Sequence, residues 1–153
     1  MRSCILIATG TCLLLAGCAA TLTSDEVAGT WVLADSSRKY LPAEIRDSSP
    51  RICLRADGTF EVFELPVLIA AAHADGSQDA VIQQISASGS WQMDGPGGEE
   101  RILLVFRTFV SGPWTEGPRG FEMFTSRQFG VEYIYYYHGD PDSEPRINFV
   151  RDQ

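Results

Sequence analysis

Cysteine is scarce in this chain of 153 residues, and Cys4, Cys12 and Cys18 all fall in its first eighteen positions. The body beyond them holds Cys53 alone. It therefore has no internal disulfide and must be stabilised by a packed core. Cys53 lies in Arg51-Ile52-Cys53-Leu54-Arg55, where Ile52 and Leu54 share one strand face and the thiol faces away with the two arginines. Histidine is nearly absent: His73 sits in an alanine-rich stretch and His138 at a strand end, and both read as surface or turn residues. There is no Gly-x-Ser-x-Gly elbow, no His-Glu-x-x-His and no phosphate-binding glycine loop. The expectation is a protein that is not an enzyme and uses no metal or cofactor.

Two partial patterns fail on chemistry. Asp140, Asp142 and Glu144 alternate as in a calcium loop, but the positions that need Gly and Glu are Pro145 and Arg151. The order Cys53, His138, Asn148 resembles that of papain-like hydrolases, whose nucleophile stands at a helix N-terminus. Cys53 is in mid-strand, so that resemblance carries no activity.

Long apolar runs are also missing. The longest, Cys4 to Ala16, follows the single positive charge of Arg2 and is shorter than the ~20 apolar residues a membrane-spanning helix needs. A basic start, a short apolar stretch and small residues behind it form a secretory leader. Leu15-Ala16-Gly17-Cys18 resembles the lipobox of bacterial lipoproteins at every position. The resemblance implies cleavage before Cys18, a diacylglyceryl group on its sulfur and acylation, such as palmitate, of the new amine. Ala19 stands where an inner-membrane retention signal would have Asp, which implies the outer membrane, facing the periplasm. The expected organisation is a leader over 1–17, a lipidated tether over 18–26 and one domain over 27–153.

Basic residues are few. With residues 1–17 removed, 11 Lys and Arg stand against 20 Asp and Glu, a net charge of −9. Such a domain repels nucleic-acid backbone and anionic headgroups, so no nucleic-acid partner is expected, whereas a basic protein partner is compatible.

What the body does have is β pattern. Val27 to Leu33 is rich in strand formers, and Asp57-Gly58 between two alternating runs signals a hairpin. Residues 35–50 are polar, with room for one short helix around Ala43 to Asp47. Pro66 is expected to end its strand, and 67–86 reads as an insertion with a short helix. Strands follow at 89–93, 101–108, 121–125, 131–138 and 146–151, with a Gly/Pro-rich loop over 109–119 that exposes Trp114. The fold class is all-β: a small antiparallel up-and-down barrel or sandwich of about eight strands.

Gly29-Thr30-Trp31 resembles the Gly-x-Trp of lipocalins and lipocalin-like bacterial domains, where the Trp plugs one end of the barrel. Asp57-Gly58-Thr59-Phe60 and Gly89-Ser90-Trp91 are similar to strand starts of small lipocalin-like lipoproteins. An eight-stranded barrel either holds one small ligand or is filled by its own side chains. The run Tyr133 to Tyr137 bears on that choice: Tyr133, Tyr135 and Tyr137 share a face, and Tyr136 lies opposite with Ile134. Tyrosines suit ligand cavities and interfaces, and they also fill cores.

Together these features imply a membrane-anchored cell-envelope binding domain, for a small apolar ligand or an envelope component. Its candidate contact residues are Trp114, Tyr133, Tyr135 and Tyr137. The alternative is an acidic inhibitor or immunity lipoprotein that binds a basic toxin or peptidoglycan hydrolase. Ser88-Gly89-Ser90-Trp91 resembles the Ser-Gly-Ala-x-Tyr loop of membrane-bound lysozyme inhibitors, with the Ala replaced and the aromatic one position early.

Overall fold

The computed structural model describes residues 22–72, 78–94, 101–112, 119–137, 142 and 145–152, without the side chains of 69–72 and 78–81. Cys18, His73, Trp114 and His138 lie outside them. The described chain forms a closed antiparallel barrel of eight strands, each bonded to the next and the eighth to the first. Closure pairs the first strand with the last, so the ring itself has no edge strand, although β3 and β4 run on beyond it.

The chain enters through a helical turn, α1 (Ser24–Val27), and passes into β1 (Gly29–Leu33). A second turn, α2 (Asp35–Arg38), and a 3₁₀ turn (Ala43–Ile45) lead to β2 (Arg51–Leu54). Two long strands follow, β3 (Thr59–Ala72) and β4 (Gln78–Asp94). The remaining four are β5 (Arg101–Ser111), β6 (Arg119–Gln128), β7 (Val131–Tyr137) and β8 (Arg146–Arg151). The hairpin at Asp57-Gly58 forms as its sequence predicts, with Phe60 opposite Leu54. The Asp57 carboxylate accepts from the Thr59 hydroxyl at 2.6 Å and from its N–H at 2.9 Å. Those two bonds hold its pKa below the usual carboxylate range.

Alternation fills the inside. On β5, Ile102, Leu104 and Phe106 are wholly buried, and on β8 so are Ile147 and Phe149. Trp31, Ile52, Phe60, Ile85, Met123, Ile134 and Tyr136 belong to the same cluster. Phe60 meets the Phe106 ring edge-on at 5.2 Å between centroids. The Tyr136 hydroxyl donates to the Pro66 carbonyl, and burial pushes the phenol well above its usual pKa. A hydroxyl that deep in the core needs such an acceptor, because leaving one unpaired costs about 1–3 kcal/mol.

The stretch expected to be an insertion is instead the longest hairpin of the barrel, paired from Thr59↔Ser90 out to Ala72↔Gln78. Pro66 does not end its strand. The β2 ladder stops at Arg51↔Phe63, so beyond that point β3 has a strand partner on one side only, where proline is tolerated. A bulge between Val62 and Leu65 precedes it, with Glu64 at φ 52 and its N–H bonded to the Ser86 hydroxyl. Strand also replaces loop at both ends of 109–119, since β5 runs to Ser111 and β6 begins at Arg119. The short helix expected around Ala43 to Asp47 shrinks to the 3₁₀ turn.

Residues 22–26 also depart from the tether expected of them. Leu22 and Val27 are fully buried, and Thr23 and Glu26 form a reciprocal capping box around α1. That part of the chain belongs to the barrel.

Gly89 shows how tightly β4 and β5 approach. A Cβ there would run into the Val105 carbonyl oxygen and lie 2.9 Å from Phe60 Cε1. Gly89→Ala should therefore cost at least ~1–3 kcal/mol of stability by overpacking. Equilibrium urea unfolding measures it, and an unchanged midpoint would contradict this strand spacing.

Candidate functional site

Period-two geometry puts successive side chains of a strand on opposite faces. On β7 the buried Ile134 and Tyr136 face the core, so Tyr133, Tyr135 and Tyr137 stand on the outer wall. The structure brings together the three tyrosines named from sequence, but outside the barrel. Tyr135 is nonetheless only 7% exposed. Phe124 of β6 stacks on it at 5.6 Å, and Tyr137 meets both rings edge-on at 5.6 and 5.7 Å. Arg146 lies over Tyr135 at 4.6 Å and over Tyr137 at 5.3 Å, a double cation–π contact.

Register assembles the rest of the wall. Tyr135 pairs with Phe124 on one side and Asn148 on the other, while Tyr133 pairs with Ser126 and Val150. Ser126, Gln128, Tyr133, Tyr135, Arg146 and Asn148 line an open cleft of about 220 Å³, with Ser36 of α2 at its rim. A larger cleft of about 640 Å³ adjoins it, lined by Val32, Val131 and Val150 together with Gly130, Glu132, Arg151 and Asp152. The smaller one concentrates the recognition chemistry: rigid aromatic faces, one guanidinium and several neutral hydrogen-bonding groups. Tyr and Arg are enriched at interface cores for that combination of area and polarity.

Alternation along Arg146-Ile147-Asn148-Phe149-Val150 would have revealed Arg146 and Asn148 as outward partners of these tyrosines. Phe124 carried the same signal from β6. Ser36 carried none, because it reaches the wall only through the packing of α2 against β8.

Below this wall, at the end where the chain enters, the barrel mouth is closed by charge. Arg127 donates to Glu26 at 2.7 Å and to Glu132 at 2.8 Å. Arg151 donates to Glu132 at 3.2 Å, to the Ala28 carbonyl at 3.0 Å and to the Glu26 carbonyl. Its guanidinium lies 4.6 Å above the Trp31 ring, whose Nε1 donates to the Val27 carbonyl at 2.8 Å. Gly29 is required here: its φ is 151°, and the Arg151 guanidinium occupies the space a Cβ would need.

No family model, curated protein or solved structure matches the chain. The chemistry of the site therefore comes from its own side chains. Cys53 is half-buried on the outer face of β2, where its Sγ accepts from Thr30 Oγ1 at 3.8 Å. Among the described residues, no three His, Cys, Asp or Glu side chains converge as a metal set.

The Thr23 backbone bond, then Arg127, then the Thr23 hydroxyl hold the Glu26 carboxyl down from 4.5 to about 2. A carboxyl that binds its proton less readily when folded adds stability above its unfolded pKa and loses it in acid. The difference in stability between wild type and Glu26→Gln should thus be full above pH 4.5 and close as pH falls through about 2. Urea unfolding across that range tests it. An equal difference at both ends would show that Glu26 acts by packing alone.

Proposed function

We propose that the chain is a lipid-anchored cell-envelope protein, held through Cys18, whose barrel binds an envelope partner on its outer wall and performs no catalysis. The anchor rests on the leader and on Leu15-Ala16-Gly17-Cys18. Two acyl chains suffice for stable attachment, at ~0.8 kcal/mol per buried CH₂. Ala19 favours the outer membrane, facing the periplasm. The lipocalin-like reading of the barrel rests on Gly29-Thr30-Trp31 and the strand order.

One observation carries the choice of binding surface. The described interior is filled by Trp31, Phe60, Phe106, Phe149 and their neighbours, while the tyrosines stand outside around Arg146. A filled core speaks against a small apolar ligand inside the barrel. Rigid aromatic anchors next to an arginine are the residue types that dominate binding energy at protein interfaces.

The second reading is an inhibitor or immunity protein for a basic toxin or peptidoglycan hydrolase. The net charge of the exported part supports it by steering a basic partner. Among the described residues, the lining of the smaller cleft includes Arg146 and no carboxylate, so direct contact with those residues would be by acceptor groups of the partner. That favours the broader reading.

Cys18→Ser should move the protein from the membrane fraction to the soluble one. A chain that stays membrane-bound after that change is not held by lipid on this residue. For the wall, a photo-crosslinking residue at Tyr133 should give a discrete adduct in intact cells that the same residue at Arg107, exposed on β5, does not. Arg146→Ala should lower the yield at least tenfold, the effect of losing one hot spot of about 1.4 kcal/mol or more. Identical adducts from both positions would eliminate the wall as the binding surface.

A further inference from the structure

The turn that joins β6 to β7 carries an aromatic residue where the backbone least favours one. Phe129 has φ 51 and Gly130 has φ 81, the two positive angles of a tight type I′ hairpin turn. Asn, Asp or Gly normally take the first of these positions, and a bulky residue there is strained. Phe129 nonetheless occupies it with its ring fully exposed, and Val131 beside it is 43% exposed. Neither fold nor core gains from that ring.

The position of the turn gives it a use. β6 and β7 converge on it at the same end of the barrel where the chain enters. The Leu22 N–H lies 3.4 Å from Thr125 Oγ1, and Glu26 is bonded to Arg127, two residues before Phe129. The buried Leu22 stands only four positions after Cys18, a reach of ~14 Å at full extension. A lipid on Cys18 therefore holds this end of the barrel against the bilayer. The opposite end, with α2 and Tyr40, is held away from it.

We infer that Phe129, flanked by Val131, is a membrane-seating tip that inserts into the interfacial layer and orients the barrel on the bilayer. The occupant is the zwitterionic lipid interface. Arg127, two residues away in sequence, is already bound to Glu26 and Glu132, and Asp25 and Asp152 lie exposed at the same end, so the local charge does not favour anionic headgroups. Phe, like Leu and Trp, gains by burying its apolar area at the headgroup and acyl boundary. Two attachments, lipid and ring, fix an orientation that a single flexible tether leaves free, with the Tyr133–Arg146 wall standing beside the membrane surface.

This inference rests on the lipid-anchor reading, and the experiment separates the two. Full-length lipidated protein in a Cys53→Ser background receives an environment-sensitive fluorophore at Phe129→Cys, Val131→Cys or Tyr40→Cys. Each is reconstituted into phosphatidylcholine vesicles containing lipids with nitroxide-labelled chains. Emission from positions 129 and 131 should be quenched and that from 40 unchanged, with no dependence on salt. Phe129→Asn, which relieves the turn, should raise the urea midpoint and abolish quenching at 131. If mass spectrometry finds lipid on Cys18 but 129 and 131 are quenched no more than 40, the tip is not inserted and only this inference fails. If Cys18 carries no lipid, the anchor and the tip fall together. A lowered urea midpoint for Phe129→Asn would make the ring a packing residue and overturn the inference.

Discussion

The barrel depends on how its first strand meets its last. That seam has only three register pairs, Trp31↔Arg151, Val32↔Val150 and Leu33↔Phe149, whereas β3 and β4 share a ladder four times as long. So short a ladder would open readily if backbone bonds alone held it. Arg151 adds what the ladder lacks. Its guanidinium covers the indole of Trp31, donates to two carbonyls of the entering chain and pairs with Glu132. An exposed ion pair alone contributes about 0–1 kcal/mol, and a cation–π contact roughly 0.5–2. Here one side chain makes both, together with two hydrogen bonds to the entering chain, over the buried ring of Trp31.

That clamp has consequences beyond the seam. It fixes Gly29 and ties the end of α1 to the mouth, and with Leu22 buried beside Thr125 the domain begins earlier than its polar character suggests. Through Glu26 and Arg127 the entering chain is tied to β6 just before the Phe129 turn. The entering chain, the mouth and the Phe129 turn are in this way parts of one end. The outer wall of β6, β7 and β8 runs from that end upward, and its aromatic cluster is held by Arg146 much as the mouth is held by Arg151.

Both arginines lie on β8, and alternation sends them to opposite places. Arg151 shares the inward parity of Ile147 and Phe149 and reaches the mouth from inside. Arg146 shares the outward parity of Asn148 and covers Tyr135. One strand of six residues thus closes the fold and supplies the only cation among the described residues that line the tyrosine cleft.

The sequence by itself determined the class of fold, because period-two alternation and Asp57-Gly58 are local signals that survive without tertiary context. It also determined that Tyr133, Tyr135 and Tyr137 share one face and that Tyr136 lies on the other, since parity along one strand is set by backbone geometry. It did not determine which parity faced the core. That depends on closure, where Ile134 outcompetes its neighbours for the interior and Tyr136 gains the Pro66 carbonyl as partner. Pro66 itself was misleading for the same reason: a proline inside a strand is legible only once β2 is seen to end before it. The meetings of Arg151 with Trp31, of Glu26 with Arg127 and of Phe129 with the entry end join residues about a hundred positions apart. Nothing local encodes such distances, and only the ring of eight strands brings their ends to one place.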